Sequence, residues 1–252
     1  MKLKEIYDYI NSLCPFNTQL SFDNAGLLVG DFDKEIHKIG VCLDVTKQTM
    51  MSAVEQNIDL IISHHPVIWN GLKQISSDDV VYDLVKNDIA VISAHTNLDA
   101  AKNGVCETLC DVLGVHDLEN AYLDEFPNSP IGRLGKIDSG MLPDDFAKFL
   151  KQRLNSPDVR FCGNNTVRRV GIFNGAGSDL IPYAISHGAD SVVTSEVKHH
   201  EWLYATAKGI NIFDVGHYFS ENVIVSALTE KIHEKFDLEA VIISQDDPYT
   251  AI

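Results

Sequence analysis

Six short apolar runs punctuate the chain and lead into polar residues: IGVCL (39–43), DLIIS (59–63), IAVIS (89–93), RVGIF (169–173), DSVVT (190–194) and INIFDV (210–215). Their length and β-branched content predict strands buried on both faces. Between them, residues 47–57, 78–87, 103–113, 179–187 and 199–208 place apolar side chains at helical spacing. Alternating strands and helices predict an α/β fold with mostly parallel sheets flanked by helices. The ends add a helix at 3–13, a helix at 222–236 and a strand at 240–243.

The two halves of this pattern align with each other. Gly40 and Gly171, inside IGV and VGI, stand 131 positions apart, as do Asp59 and Asp190 at the heads of DLIIS and DSVVT. A duplicated strand–helix–strand unit is the simplest account. It divides the chain into a first α/β half, residues 1–125, and a second, residues 126–252. Residues 120–138, with Pro127, Pro130, Gly132 and Gly135, read as a linker, and 137–155 as one amphipathic helix with Pro143 in its first turn.

Composition narrows the class. A length of 252 residues buries a full core without staples, and five scattered cysteines suit a reducing compartment. The amino-terminal residues lack the continuous apolar stretch of a signal peptide, and no run is long enough for a membrane span, so a cytoplasmic protein is expected. Twenty Lys and Arg against 36 Asp and Glu give a formal charge of −16, which argues against a duplex nucleic-acid surface. A small anionic substrate stays compatible where metal ions supply the positive charge.

Three segments carry the chemistry. His95-Thr-Asn-Leu-Asp99 and His217-Tyr-Phe-Ser-Glu221 each place a carboxylate four residues after a histidine, on one helix face or across a tight turn. Ser63-His64-His65-Pro66 follows a buried strand, where α/β sheets place ligands. Neighbouring imidazoles on extended backbone point to opposite sides and can serve two metals. Imidazole and carboxylate together suit Zn, Mn, Fe, Co or Ni better than Mg or Ca. For Asp99 and Glu221 the competing role is a helix-start carboxylate; for His95 it is orienting a ligand or carrying a proton. His199 and His200 are either proton carriers or an ordinary surface helix start. Asn174-Gly-Ala-Gly-Ser178 lacks the third glycine of a dinucleotide loop and reads as a turn and cap.

SHHP, AHTNLD and GHYFSE in this order, with SFDNAGLLVG (21–30), resemble the NIF-three-like family, many of whose members carry the name GTP cyclohydrolase I type 2 homolog. The resemblance runs from about residue 1 to 245, and it implies no inserted regulatory domain of the kind longer members carry, since only a linker and a helix fit between the halves. It implies two divalent metal ions held by His64, His65, Asp99, His217 and Glu221, with Glu221 touching both, and a ring-shaped homohexamer. His95 is not a usual ligand in the family; Asp23 and Asn24 line the site by analogy, or form an Asx-type turn. Ser195-Glu196 stands where the family often has Gly-Asp, and in the repeat it falls opposite His64-His65, which favours one shared centre over two. A two-metal hydrolase acting on a nucleotide such as GTP is the leading expectation, with His95 and His200 as proton carriers. The rival is a non-catalytic protein that binds or handles metal, or regulates partners.

Overall fold

The computed structural model describes residues 1–250. Along the chain run α1 (Leu3–Leu13), β1 (Gly26–Val29), β2 (Lys38–Cys42), α2 (Lys47–Glu55), β3 (Leu60–Ser63), α3 (Val80–Lys86), β4 (Ala90–Ser93) and α4 (Thr96–Ala100). Next come α5 (Val105–Leu113), β5 (His116–Ala121), β6 (Gly132–Met141), α6 (Pro143–Leu154), β7 (Arg160–Cys162), β8 (Val167–Ile172) and α7 (Ile181–Ser186). The chain ends with β9 (Ser191–Thr194), α8 (His199–Lys208), β10 (Asn211–Asp214), α9 (His217–Glu221), α10 (Val223–Lys235) and β11 (Glu239–Ile242). All six apolar runs are strands, and the expected α/β class holds.

Two compact units divide the chain: residues 1–98 with 225–248, and residues 99–224 with the terminus from Tyr249. This differs from a cut at 125/126. The reason is β11, which pairs in parallel with β2 from Glu239↔Lys38 to Ile242↔Val41 and so belongs to the first unit.

The first unit has the strand order β1-β4-β3-β2-β11, parallel except for β1. Every residue of β3 and β4 is buried, as expected for strands covered on both faces. On one side Met50 and Ala53 of α2 and Val81 and Leu84 of α3 pack with Ile61 and Val91. Helix α1 buries Leu3, Ile6 and Ile10 at three- and four-residue spacing, and its Tyr9 meets Phe236 just beyond α10 edge-on at 5.2 Å.

The second unit has the order β5-β6-β8-β9-β10-β7, with β8, β9 and β10 parallel and the flanking pairs antiparallel. Adjacent strand residues point to opposite faces. Val192 and Ile212 pack with α7 and α8, while Val193 and Phe213 pack with α5 and α6.

Two local expectations are corrected. Residues 132–141 form the long strand β6 rather than a linker and the start of a helix, and the helix begins at Pro143. Gly132 and Gly135 are not breakers but points of close approach: a Cβ would lie 2.3 Å from Phe173 Cδ1 and 2.5 Å from Val115 Cγ1 respectively.

The repeat is visible in topology. Strands β2-α2-β3-α3-β4 and β8-α7-β9-α8-β10 each form a parallel triplet whose last strand has one antiparallel neighbour, β1 or β7. Each triplet runs into a five-residue helix, α4 or α9, which carries the motif's carboxylate.

Candidate metal centre

In the first unit the donors stand at the carboxyl ends of the strands. His64 N donates to Cys42 O (3.3 Å) and His65 N to Leu43 O (3.0 Å), so backbone pairing continues past β3 and aims both side chains from its end. Ser63 Oγ donates to His65 O (2.9 Å) and pairs with Ser93 Oγ (2.8 Å), fixing the turn.

Each imidazole is oriented through Nδ1. His64 Nδ1 donates to Ala94 O (2.9 Å), His65 Nδ1 to Asp44 Oδ1 (2.7 Å), and His95 Nδ1 to Asp23 Oδ1 (2.9 Å). A carbonyl or ionised carboxylate only accepts, so the proton sits on Nδ1 and the lone pair of the neutral ring on Nε2. The three rings lie 4.9–5.5 Å apart by centroid, and one nitrogen from each falls within 4.8 Å of the others, a group that can hold a metal ion.

The carboxylates behind them are held in turn. Burial pushes Asp23 up, but hydrogen bonds from His95 and Thr96, together with the His95 charge, outweigh it and hold the carboxyl at about 2. Burial also raises Asp44, and His65 and Gln245 reverse the balance and lower it. Gln245 Nε2 donates to Asp44 Oδ2 (2.7 Å) while its Oε1 accepts from Asp44 N (2.8 Å). Asp23 therefore does more than make a turn.

The second unit assembles a carboxylate-rich cluster. Gly216, at φ 83°, turns the chain from β10 into α9, which sets His217 and Glu221 one turn apart with Nε2 and Oε2 at 2.9 Å. His217 Nδ1 donates to Glu196 Oε1 (2.9 Å). Glu196 itself holds φ 56°, the left-handed region a non-glycine residue enters only when its surroundings require it. Glu221 is 3% exposed and Asp99 9%. Asn174 Nδ2 donates to both, at 2.7 Å to Asp99 Oδ1 and 3.1 Å to Glu221 Oε1. Buried carboxylates converging on one amide form a negative site suited to a cation.

Gly175, at φ 56°, is required twice over, because a Cβ there would lie 2.3 Å from Glu221 Oε1. Its N–H donates to Ser220 Oγ (3.1 Å), which donates to His217 O (2.8 Å). The turn at 174–178 thus supports the carboxylates.

The structure places His64, His65 and His95 together in the first unit, and Asp99, His217 and Glu221 together in the second. Sequence reasoning missed Asp44, Asn174, Glu196 and Gln245 as orienting groups. The repeat held part of the signal, since Asp44 and Gly175 both follow the first strand of a triplet. His200 stands 76% exposed at the start of α8 with its Nε2 4.0 Å from Glu201, and Glu201 accepts Lys198 N (2.6 Å) in a helix-start box.

A family model described as Duf34/NIF3 (NGG1p interacting factor 3) matches residues 1–248. The chain belongs to this family. One NIF3 relative, the Clostridium perfringens (strain 13 / Type A) protein named GTP cyclohydrolase 1 type 2 homolog, is 33% identical and matched over 100% of both chains. A Campylobacter jejuni protein of the same name is 31% identical over 99% of each. The crystal structure of Staphylococcus aureus protein SA1388 is similar with a TM-score of 0.91 and 28% identity, covering 100% of this chain and 99% of that one. Among the described residues no helix is long and apolar enough to cross a membrane.

Proposed function

We propose that this NIF3 protein holds two divalent first-row metal ions through His64, His65, Asp99, His217 and Glu221, and hydrolyses a nucleotide such as GTP. One observation carries the reading: the three histidines among these ligands each commit Nδ1 to a carboxylate or carbonyl, the arrangement that prepares Nε2 for a metal. The name these relatives carry, GTP cyclohydrolase 1 type 2 homolog, supports the nucleotide.

When bound, such ions act as Lewis acids and bring the pKa of water towards neutrality. The protein's part is orientation and proton handling. Asp44 and Glu196 fix the tautomers of His65 and His217 and raise their basicity as ligands; Asn174 steers Asp99 and Glu221. His95, backed by Asp23, is assigned proton transfer within the cluster, and His200 is the second carrier from the surface of α8. A homohexamer is part of the same proposal and is checked by analytical ultracentrifugation.

Elemental analysis of wild type and Glu221→Ala, with GTP turnover assayed on the same samples, tests the reading. Two metals per chain, lost in the variant together with turnover, are expected. Two metals without turnover on any nucleotide would replace the hydrolase with a metal-dependent binding protein, and metal-free wild type purified without chelators would overturn both. His95→Ala is expected to abolish turnover and keep the metal content.

A further inference from the structure

The loop after SHHP holds an aromatic side chain beside the histidine cluster. Val67 and Ile68 pack against the first unit's core. Asn24 Nδ2 donates to Ile68 O (2.6 Å), and Asn24 N donates to Asp23 Oδ1 (2.7 Å), the same oxygen that accepts from His95 Nδ1 (2.9 Å). The loop, the carboxylate and the imidazole therefore share one hydrogen-bond chain. Trp69, the next residue, sets its ring 5.1 Å from that of His95 at 85°.

Trp69 is nonetheless 48% exposed. The other tryptophan contrasts with it: Trp202 donates Nε1 to Val197 O (3.2 Å) and is covered by the Arg160 guanidinium at 6.0 Å. A large apolar ring fixed next to a donor cluster and left half open presents a surface for another ring. The loop beyond it is open too: a Cβ on Gly71 would meet nothing within 4 Å, and Leu72 is exposed. With 20 cationic residues against 36 acidic ones, side-chain charge is a poor source of attraction for the remainder of an anionic ligand. Stacking on a neutral ring needs no such charge.

We propose that Trp69 is the stacking platform for the planar heteroaromatic ring of the substrate, a nucleobase, beside the histidine cluster. This rests on the nucleotide reading above and adds to it the group that selects the base.

Equilibrium dialysis of the metal-loaded full chain against guanosine 5′-monophosphate, ribose 5-phosphate and pyrophosphate tests it, in wild type, Trp69→Phe and Trp69→Ala, with circular dichroism confirming the fold of each. Wild type is expected to prefer the nucleotide over ribose 5-phosphate, and Trp69→Ala to lose that preference by roughly tenfold or more. Trp69→Phe should keep most of it, and pyrophosphate binding should be the same in all three. A preference that survives Trp69→Ala overturns the platform and leaves the nucleotide reading standing. Pyrophosphate binding with no nucleotide preference in wild type overturns the platform and the nucleotide, but not the metal centre. Binding of none of the three overturns the platform and the hydrolase alike.

Discussion

At the scale of single residues, the site is a set of candidate ligands, each held by a neighbour. Glu196 is the most exposed of these neighbours and adopts a backbone conformation that disfavours it. Glu196→Gln retains the volume but weakens the hold on His217, and is expected to lower metal affinity roughly 10- to 100-fold, measured by competition with a chelating dye. Glu196→Gly relieves the backbone, so it should match that loss of affinity without a loss of thermal stability. Gly175→Ala has the opposite character. Its methyl group would crowd Glu221 Oε1 at a φ of 56°, and a loss of about 1–3 kcal/mol in urea unfolding is expected together with reduced metal content. Asp23 links the site to pH. Its folded pKa of about 2 lies below the usual 3.8, so its contribution is complete above about pH 4 and disappears as pH falls through about 2. Asp23→Asn should therefore flatten the stability curve across that interval in urea titrations at fixed pH.

At the scale of elements, what was legible depended on burial. The strands β2, β3, β4, β8, β9 and β10 announce themselves because helices cover both faces and leave a continuous apolar run. Strand β5, HDLENA, has five exposed residues in six, and β6 mixes glycines with charges, so neither carries a buried-strand pattern. Their identity comes from pairing, Asn120↔Arg133 on one side and Arg133↔Ile172 on the other. Arg133 shows why such a strand misleads: it is buried and bonded to Glu107 and to Ala100 O, which only the folded chain supplies. The candidate ligands were legible because histidine and carboxylate recur in a fixed grammar, whereas Asp44, Asn174 and Gln245 are ordinary loop residues until separate strand ends bring them to their partners. Gly135→Ala tests the element itself. Its Cβ would lie 2.8 Å from the backbone oxygen of His116, so β5 must shift, and about 1–3 kcal/mol of stability should be lost with metal affinity unchanged.

For the whole molecule, the proposed metal binding is tied to charge. A chain with a formal charge of −16 carries self-repulsion throughout, and its buried carboxylates concentrate part of it at Asp99 and Glu221. Filling such a site stabilises the folded chain over the unfolded one by an amount set by the ratio of free metal to Kd, about 2.7 kcal/mol at a hundredfold excess. Removing metal with a chelator is therefore expected to lower Tm, and restoring a divalent first-row ion to raise it in proportion to the logarithm of its concentration. Glu221→Ala loses both the ligand and a buried charge, so its Tm should respond weakly to chelator or added ion, and its apo form should stand no lower than the wild-type apo form. The comparison separates a metal centre from general screening of the negative surface. Magnesium and sodium chloride at matched ionic strength should raise the Tm of wild type and variant by equal amounts if screening governs, whereas the specific ions should act on wild type alone if the histidines and carboxylates hold them.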